Sequence, residues 1–194
     1  MMYLSKGIIN KGKNKQGLYI RHFGQPEVLH GAEADMWRLG RYGFVHVYVK
    51  PDITIAEELS RKGVAVFVRG SSELDKYDAL CKCAICANPK LKFSFTPLSP
   101  TEKRIFTWLK KSSTNLSLPE LISLEEKDIE PKEYLRKQKN PTELLKIIYP
   151  GCDSLAGDLE LRMKRSIYRR DTVDAVIKLL RKKRIVLMYQ EVKL

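Results

Sequence analysis

Three cysteines fall within six residues, Cys81, Cys83 and Cys86, in the run CKCAIC. Thiolates spaced C-x-C and C-x-x-C reach one soft metal ion, with zinc the natural occupant. A tetrahedral site needs a fourth ligand, for which the chain offers Cys152, His22, His30 or His46, or a residue from a partner chain. The same spacing also fits buried structural thiols or redox-sensing ones, and the three readings stay open on sequence. A second chemical resource is cationic. Residues 161–184 hold 10 Lys and Arg against 2 Asp, a concentration suited to a polyanion.

Signals for catalysis are sparse. Pro51-Asp52 resembles the first half of a two-part nuclease pattern, but the residue two before Lys76 is Leu74, where a carboxylate is required. Glu125-Glu126-Lys127 fits the second half, within a charged run that reads as a solvated connector. No P-loop, H-E-x-x-H or G-x-S-x-G occurs. The expectation is a protein that is not an enzyme.

The 194-residue chain carries a formal net charge of +13, with 43% hydrophobic and 30% charged residues. That is a folded composition with a basic surplus, and a phosphate-bearing partner is the natural inference. No apolar run is long enough to span a bilayer, and the first residues lack the apolar core of a signal peptide. A cytoplasmic location without membrane association is expected.

Local grammar then places elements that must position these groups. Ile8-Ile9 and Leu18 to Phe23 read as short strands around a Lys/Gly/Asn loop, a basic N-terminal β arm over residues 1–24. Ala32, Met36, Trp37 and Leu39 predict a helix stopped by Gly40 or Gly43. Asp52 is placed as the N-cap of a helix over 53–62 with Gly63 at its end, followed by a strand at Val64 to Val68. Tyr77 to Cys83 reads as the returning strand of a hairpin. After a turn-rich boundary near Pro97, Ser99 and Glu102 form a capping box with Pro100 at the first helical position. Ser117 and Glu120 repeat the signal. Further helices are expected at 141–149 and 155–168. Finally, Asp171 caps a helix that buries Val173, Val176, Ile177 and Leu180 and leaves Arg170, Asp174, Lys178, Arg181 and Lys182 outward. A strand follows at Ile185 to Tyr189.

The order helix, short helix, amphipathic helix, strand in residues 98–124 and 171–190 resembles the end of winged helix-turn-helix DNA-binding domains. Residues 30–83 resemble a looser first copy, although Glu57 and Glu58 on its last helix would repel phosphates. The resemblance implies an α+β, mainly helical fold: two winged-helix-like units with short β-hairpins, behind the N-terminal arm. The first unit would occupy 25–96 and the second 97–194, with a helical insert at 125–168. It also implies a transcriptional regulator, of bacterial or mobile-element type, that binds double-stranded DNA as a homodimer on a palindromic site. Lys178 and Arg181 would face the major groove, and Arg169, Arg170, Lys182, Lys183 and Arg184 the backbone. Arg69, Lys76 and Lys82 would flank the wing of the first copy. Two other readings are open: a nuclease or nucleic-acid-processing accessory protein, and an adaptor whose CKCAIC loop is held by a thiolate-bound metal.

Overall fold

The computed structural model describes residues 1–10, 17–21, 26–91, 96–112, 115–126 and 170–189, which form an α+β arrangement of helices and small antiparallel sheets. Strand β1 (Met2–Ser5) is the middle of sheet one, with β5 (Val45–His46) on one side and β6 (Ala65–Val68) on the other. Strands β2 (Ile8–Ile9), β3 (Leu18–Arg21) and β4 (Glu27–Leu29) make sheet two. Strand β7 (Cys83–Ala87) is the middle of sheet three, between β8 (Leu116–Ser117) and β9 (Ile185–Tyr189). The helices are α1 (Gly31–Leu39), continued by a 3₁₀ turn at Gly40–Tyr42, α2 (Lys50–Arg61), α3 (Glu73–Cys81), α4 (Pro100–Ser112), α5 (Leu118–Glu126) and α6 (Arg170–Arg181).

Sheet one has a core on each face. Successive strand residues point to opposite sides. Tyr3, Ala65 and Phe67 accordingly pack with Trp37, Ala56 and Leu59, while Leu4, Val66 and Val68 pack with Leu80, Ile85, Trp108 and Val176. Sheet two closes the first core through Leu18, Ile20 and Leu29. Gly7 joins the parts: its N–H donates to Leu187 O at 2.7 Å, its φ is +102°, and a Cβ there would lie 2.4 Å from Ile20 Cγ2. Only glycine fits that corner.

The chain builds the same connection twice. A central strand is followed, after β2–β4 in the first copy alone, by a Trp-bearing helix, a two-residue edge strand, further helix, and a return strand on the other side. The registers coincide: Met2 opposes His46 and Val68 as Ala84 opposes Ser117 and Met188, and Tyr3 opposes Val45 and Phe67 as Ile85 opposes Leu116 and Leu187. Beyond the central strands, Lys6 N–H donates to Val64 O at 2.7 Å and Asn88 N–H to Arg184 O at 2.9 Å. The second copy inserts α5 and residues 127–169 where the first runs directly from β5 to α2.

Several expectations are met. Ser99 and Glu102 exchange both capping hydrogen bonds, at 2.9 and 3.2 Å, and Ser117 and Glu120 do so at 2.6 and 3.3 Å. Gly63 ends α2 with φ +74°. Strands β2 and β3 pair, as expected of Ile8-Ile9 and the strand starting at Leu18. Others are corrected. Tyr77 to Cys81 is helical, so the hairpin expected from Val64–Val68 to Cys83 does not form; Ser72 caps α3 through Asp75 in a capping box, and that local signal outweighs the strand-like side chains. Asp52 is not the cap of α2, which begins at Lys50 after Val49, with Asp52 inside its first turn. Glu125 lies within α5 and pairs with Arg104 at 3.7 Å, so it is no solvated connector. The helices expected at 141–149 and 155–168 lie outside the described residues, as do His22 and Cys152.

Candidate nucleic-acid interface

Helix α6 is amphipathic because its apolar residues recur on all but one narrow arc. Thr172, Val173, Ala175, Val176, Ile177, Leu179 and Leu180 are buried, against α4, α5 and β9 among other elements. At 100° per residue, Arg170, Asp171, Asp174, Lys178 and Arg181 share the remaining arc of about 100°. Arg170, Lys178 and Arg181 are exposed. Arg170 Nε stands 3.9 Å from Asp174 Oδ2, a long exposed contact worth little. Among the described residues, no ion pair engages Lys178 or Arg181. The matching stripe of α2 is Lys50, Thr54, Glu58 and Arg61, and there Glu58 binds Arg61. The two stripes carry the same net charge, +1, but α6 has Lys178 where α2 has Glu58.

The end of α6 separates its cations by task. Lys182 turns inward: its Nζ meets Glu102 Oε2 at 2.6 Å and Pro97 O at 2.8 Å. Glu102's side chain is only 2% exposed. Burial would raise its pKa, but the Lys182 ammonium and the Ser99 N–H outweigh burial and hold the carboxyl below its ordinary range. This pair locks α4 to α6. Arg184 Nη2 donates to Thr96 O at 3.4 Å and its guanidinium lies 5.7 Å from the Phe106 ring centre, a ring that Lys110 also approaches at 5.6 Å. Lys183 is exposed and has φ +59°. Its turn repeats that of Gly63: Lys182, Lys183 and Arg184 N–H donate to Lys178, Leu180 and Leu179 O, as Lys62, Gly63 and Val64 N–H donate to Glu58, Ser60 and Leu59 O. A left-handed conformation costs a residue with a Cβ on the order of 1 kcal/mol relative to glycine.

The first unit reaches this end through its 3₁₀ turn. Arg41 lies 4.8 Å from the Tyr42 ring centre and 5.6 Å from that of Trp37, and Lys183 Nζ lies 5.3 Å from the same Tyr42 ring. A Cβ on Gly43 would sit 4.0 Å from Cγ and Nε of Arg181. Sequence reasoning passed over Arg41 and Tyr42; the signal available was a basic-aromatic pair between two glycines, Gly40-Arg41-Tyr42-Gly43.

The other sequence candidates are dispersed. Arg69 is exposed just after β6, Lys76 holds Glu73 at 2.5 Å within α3, and Lys82 is exposed at the end of that helix. They flank a helix and not a wing. Arg169 lies outside the described residues. Cys83 is buried and its Sγ donates to Ala79 O at 3.4 Å, while Cys86 donates to Asn115 Oδ1 at 2.9 Å on the other side of β7. Burial pushes the thiols of Cys83 and Cys86 up to about 12 and that of Cys81 up to about 11. Among the described residues, no three of His, Cys, Asp or Glu converge as a metal site. No helix there is long and apolar enough to cross a membrane.

Compared with protein-family models, with curated proteins and with solved structures, the chain matches none.

Proposed function

We propose that this chain is a sequence-specific double-stranded DNA-binding protein, a transcriptional regulator with two winged-helix-like units. One observation carries the reading: Arg170, Lys178 and Arg181 are exposed on one arc of α6 and, among the described residues, neither Lys178 nor Arg181 is ion-paired, whereas on α2 Glu58 stands in the place of Lys178 and binds Arg61. A helix bearing exposed cations on one arc and core residues on the rest presents donors to phosphates and guanine edges without disturbing its packing. The order α4, α5, α6, β9 is the order for which the sequence resembles winged helix-turn-helix domains, and β7 supplies the third strand of that unit's sheet. In this reading the second unit contacts DNA through α6 and the first supports it. A homodimer would place two such helices on a palindromic site.

The test is Arg170→Ala, Lys178→Ala and Arg181→Ala combined, titrated against a random duplex pool and its selected sequences at several salt concentrations. Loss of affinity, with the log–log salt slope falling by about 2 to 3, is expected if each cation neutralises a phosphate. Unchanged affinity and slope would exclude this surface. Light scattering with and without duplex tests the dimer.

A further inference from the structure

We propose that Lys183, Arg41 and Tyr42 form a composite phosphate-binding site between the two units, in which a nucleic-acid phosphodiester sits beside both cations. The proposal rests on the nucleic-acid reading for the identity of the ligand, but not on the α6 stripe.

Three observations converge on it. The first is conformational. Lys183 is the only non-glycine residue with positive φ among the described residues, and the equivalent turn of the other copy has Gly63 at +74°. The same hydrogen-bonded turn is therefore built with glycine in one copy and with lysine, at greater backbone cost, in the other. A residue held in an unfavourable conformation where the fold accepts glycine points to a use for its side chain.

The second is where that side chain goes. Lys183 Nζ and Arg41 Cζ lie 5.3 and 4.8 Å from the centre of one ring, Tyr42. Two like charges are thus gathered at one aromatic platform, and Arg181 runs alongside Gly43 next to it. Cation–π contact offsets part of their repulsion, and an anion would offset the rest.

The third is the absence of an internal anion. Among the described residues no ion pair involves Arg41 or Lys183, and Arg41 Nε is shielded from solvent without a hydrogen-bond acceptor. A guanidinium with an unused Nε–H, sharing a ring with an ammonium, matches phosphate, which accepts several charge-assisted hydrogen bonds at once. Lys182, one residue away, shows the contrast, since its charge is met by Glu102.

The experiment compares the full-length protein with Lys183→Gly, Arg41→Gln and their combination. Lys183→Gly should leave the melting temperature unchanged or raise it, because glycine relaxes the turn, while duplex affinity falls about 3- to 10-fold and the salt slope drops by about 1. Arg41→Gln should do the same to affinity, and the double variant should lose less than the product of the two, since both act on one phosphate. A Lys183→Gly protein of equal or greater stability and undiminished affinity would overturn the site, even if the α6 triple variant still loses binding. Should the wild type bind no duplex at all, the nucleic-acid reading fails first. Pyrophosphate titration followed by Trp and Tyr fluorescence then decides the site: saturation that Lys183→Gly abolishes supports it with a free phosphate ligand, and no saturation overturns it.

Discussion

Trp37 and Trp108 occupy equivalent places in the two copies, each eight residues ahead of its edge strand at Val45 or Leu116 and each essentially inaccessible to solvent. Their indole N–H groups differ. That of Trp37 donates to Lys6 O at 2.9 Å and Val64 O at 3.1 Å, tying the end of β1 to the start of β6. That of Trp108 is buried with no acceptor.

The difference predicts unequal costs for the same substitution. Trp37→Phe removes the indole donor shared by Lys6 O and Val64 O, the latter keeping the Lys6 N–H, and leaves a void, and should destabilise by on the order of 3 kcal/mol. Trp108→Phe removes a donor that has no acceptor, so it should cost about 1 kcal/mol less. Urea denaturation of both variants measures the gap.

The Lys182–Glu102 pair should show in the pH dependence of stability. Glu102 is held below its ordinary value of 4.5, so its contribution is complete above that value and is lost as pH falls through the lower folded-state value. Glu102→Gln should cost about 2 kcal/mol at neutral pH, and the gap from wild type should close in the acid range below 4.5. Denaturation midpoints across that window provide the measurement.

Thiol chemistry should be suppressed in the folded chain. With Cys81 raised to about 11 and Cys83 and Cys86 to about 12, from an ordinary 9.0, alkylation at pH 8 should be roughly 100-fold or more slower folded than unfolded. Peptide-level mass spectrometry with and without denaturant reads this out. Rapid labelling of native Cys83 would contradict its burial.

The two helix-ending turns should respond in opposite directions to exchange of their residues. Gly63→Lys places a side chain at φ +74° and should cost about 1 kcal/mol, with no gain in duplex affinity. Thermal melting and the same titration detect both effects.

How much of this was legible in the sequence depended on distance along the chain. The caps at Ser99 and Ser117, the stop at Gly63 and the buried stripe of α6 are written within a few residues of where they act. The central strands were not legible. Met2–Ser5 and Cys83–Ala87 bear no clean alternation of polar and apolar residues, because their partners cover them on both edges and their neighbours on both faces. Helix α3 was read as a strand because Tyr77, Cys81 and Cys83 favour strands, while the Ser72–Asp75 box that decides it was passed over. For the interface, exposure of Arg170, Lys178 and Arg181 followed from the 3.6-residue period. The inward turn of Lys182 did not, since its partner Glu102 is 80 residues away. The approach of Arg41 and Tyr42 to Lys183 was equally hidden, being a product of tertiary packing.

Because sheet one is covered on both sides, the halves of the molecule have no hinge at that layer. A swivel would expose Leu4 and Val66 on one face or Tyr3 and Ala65 on the other. Changing the span from Arg170 at the start of α6 to Arg41 on the neighbouring turn by such a swivel therefore carries the cost of exposing one of those cores, as a caliper resists being forced. On the proposed reading, a curved or widened polyanion would have to conform to that gap, because the covered sheet opposes opening.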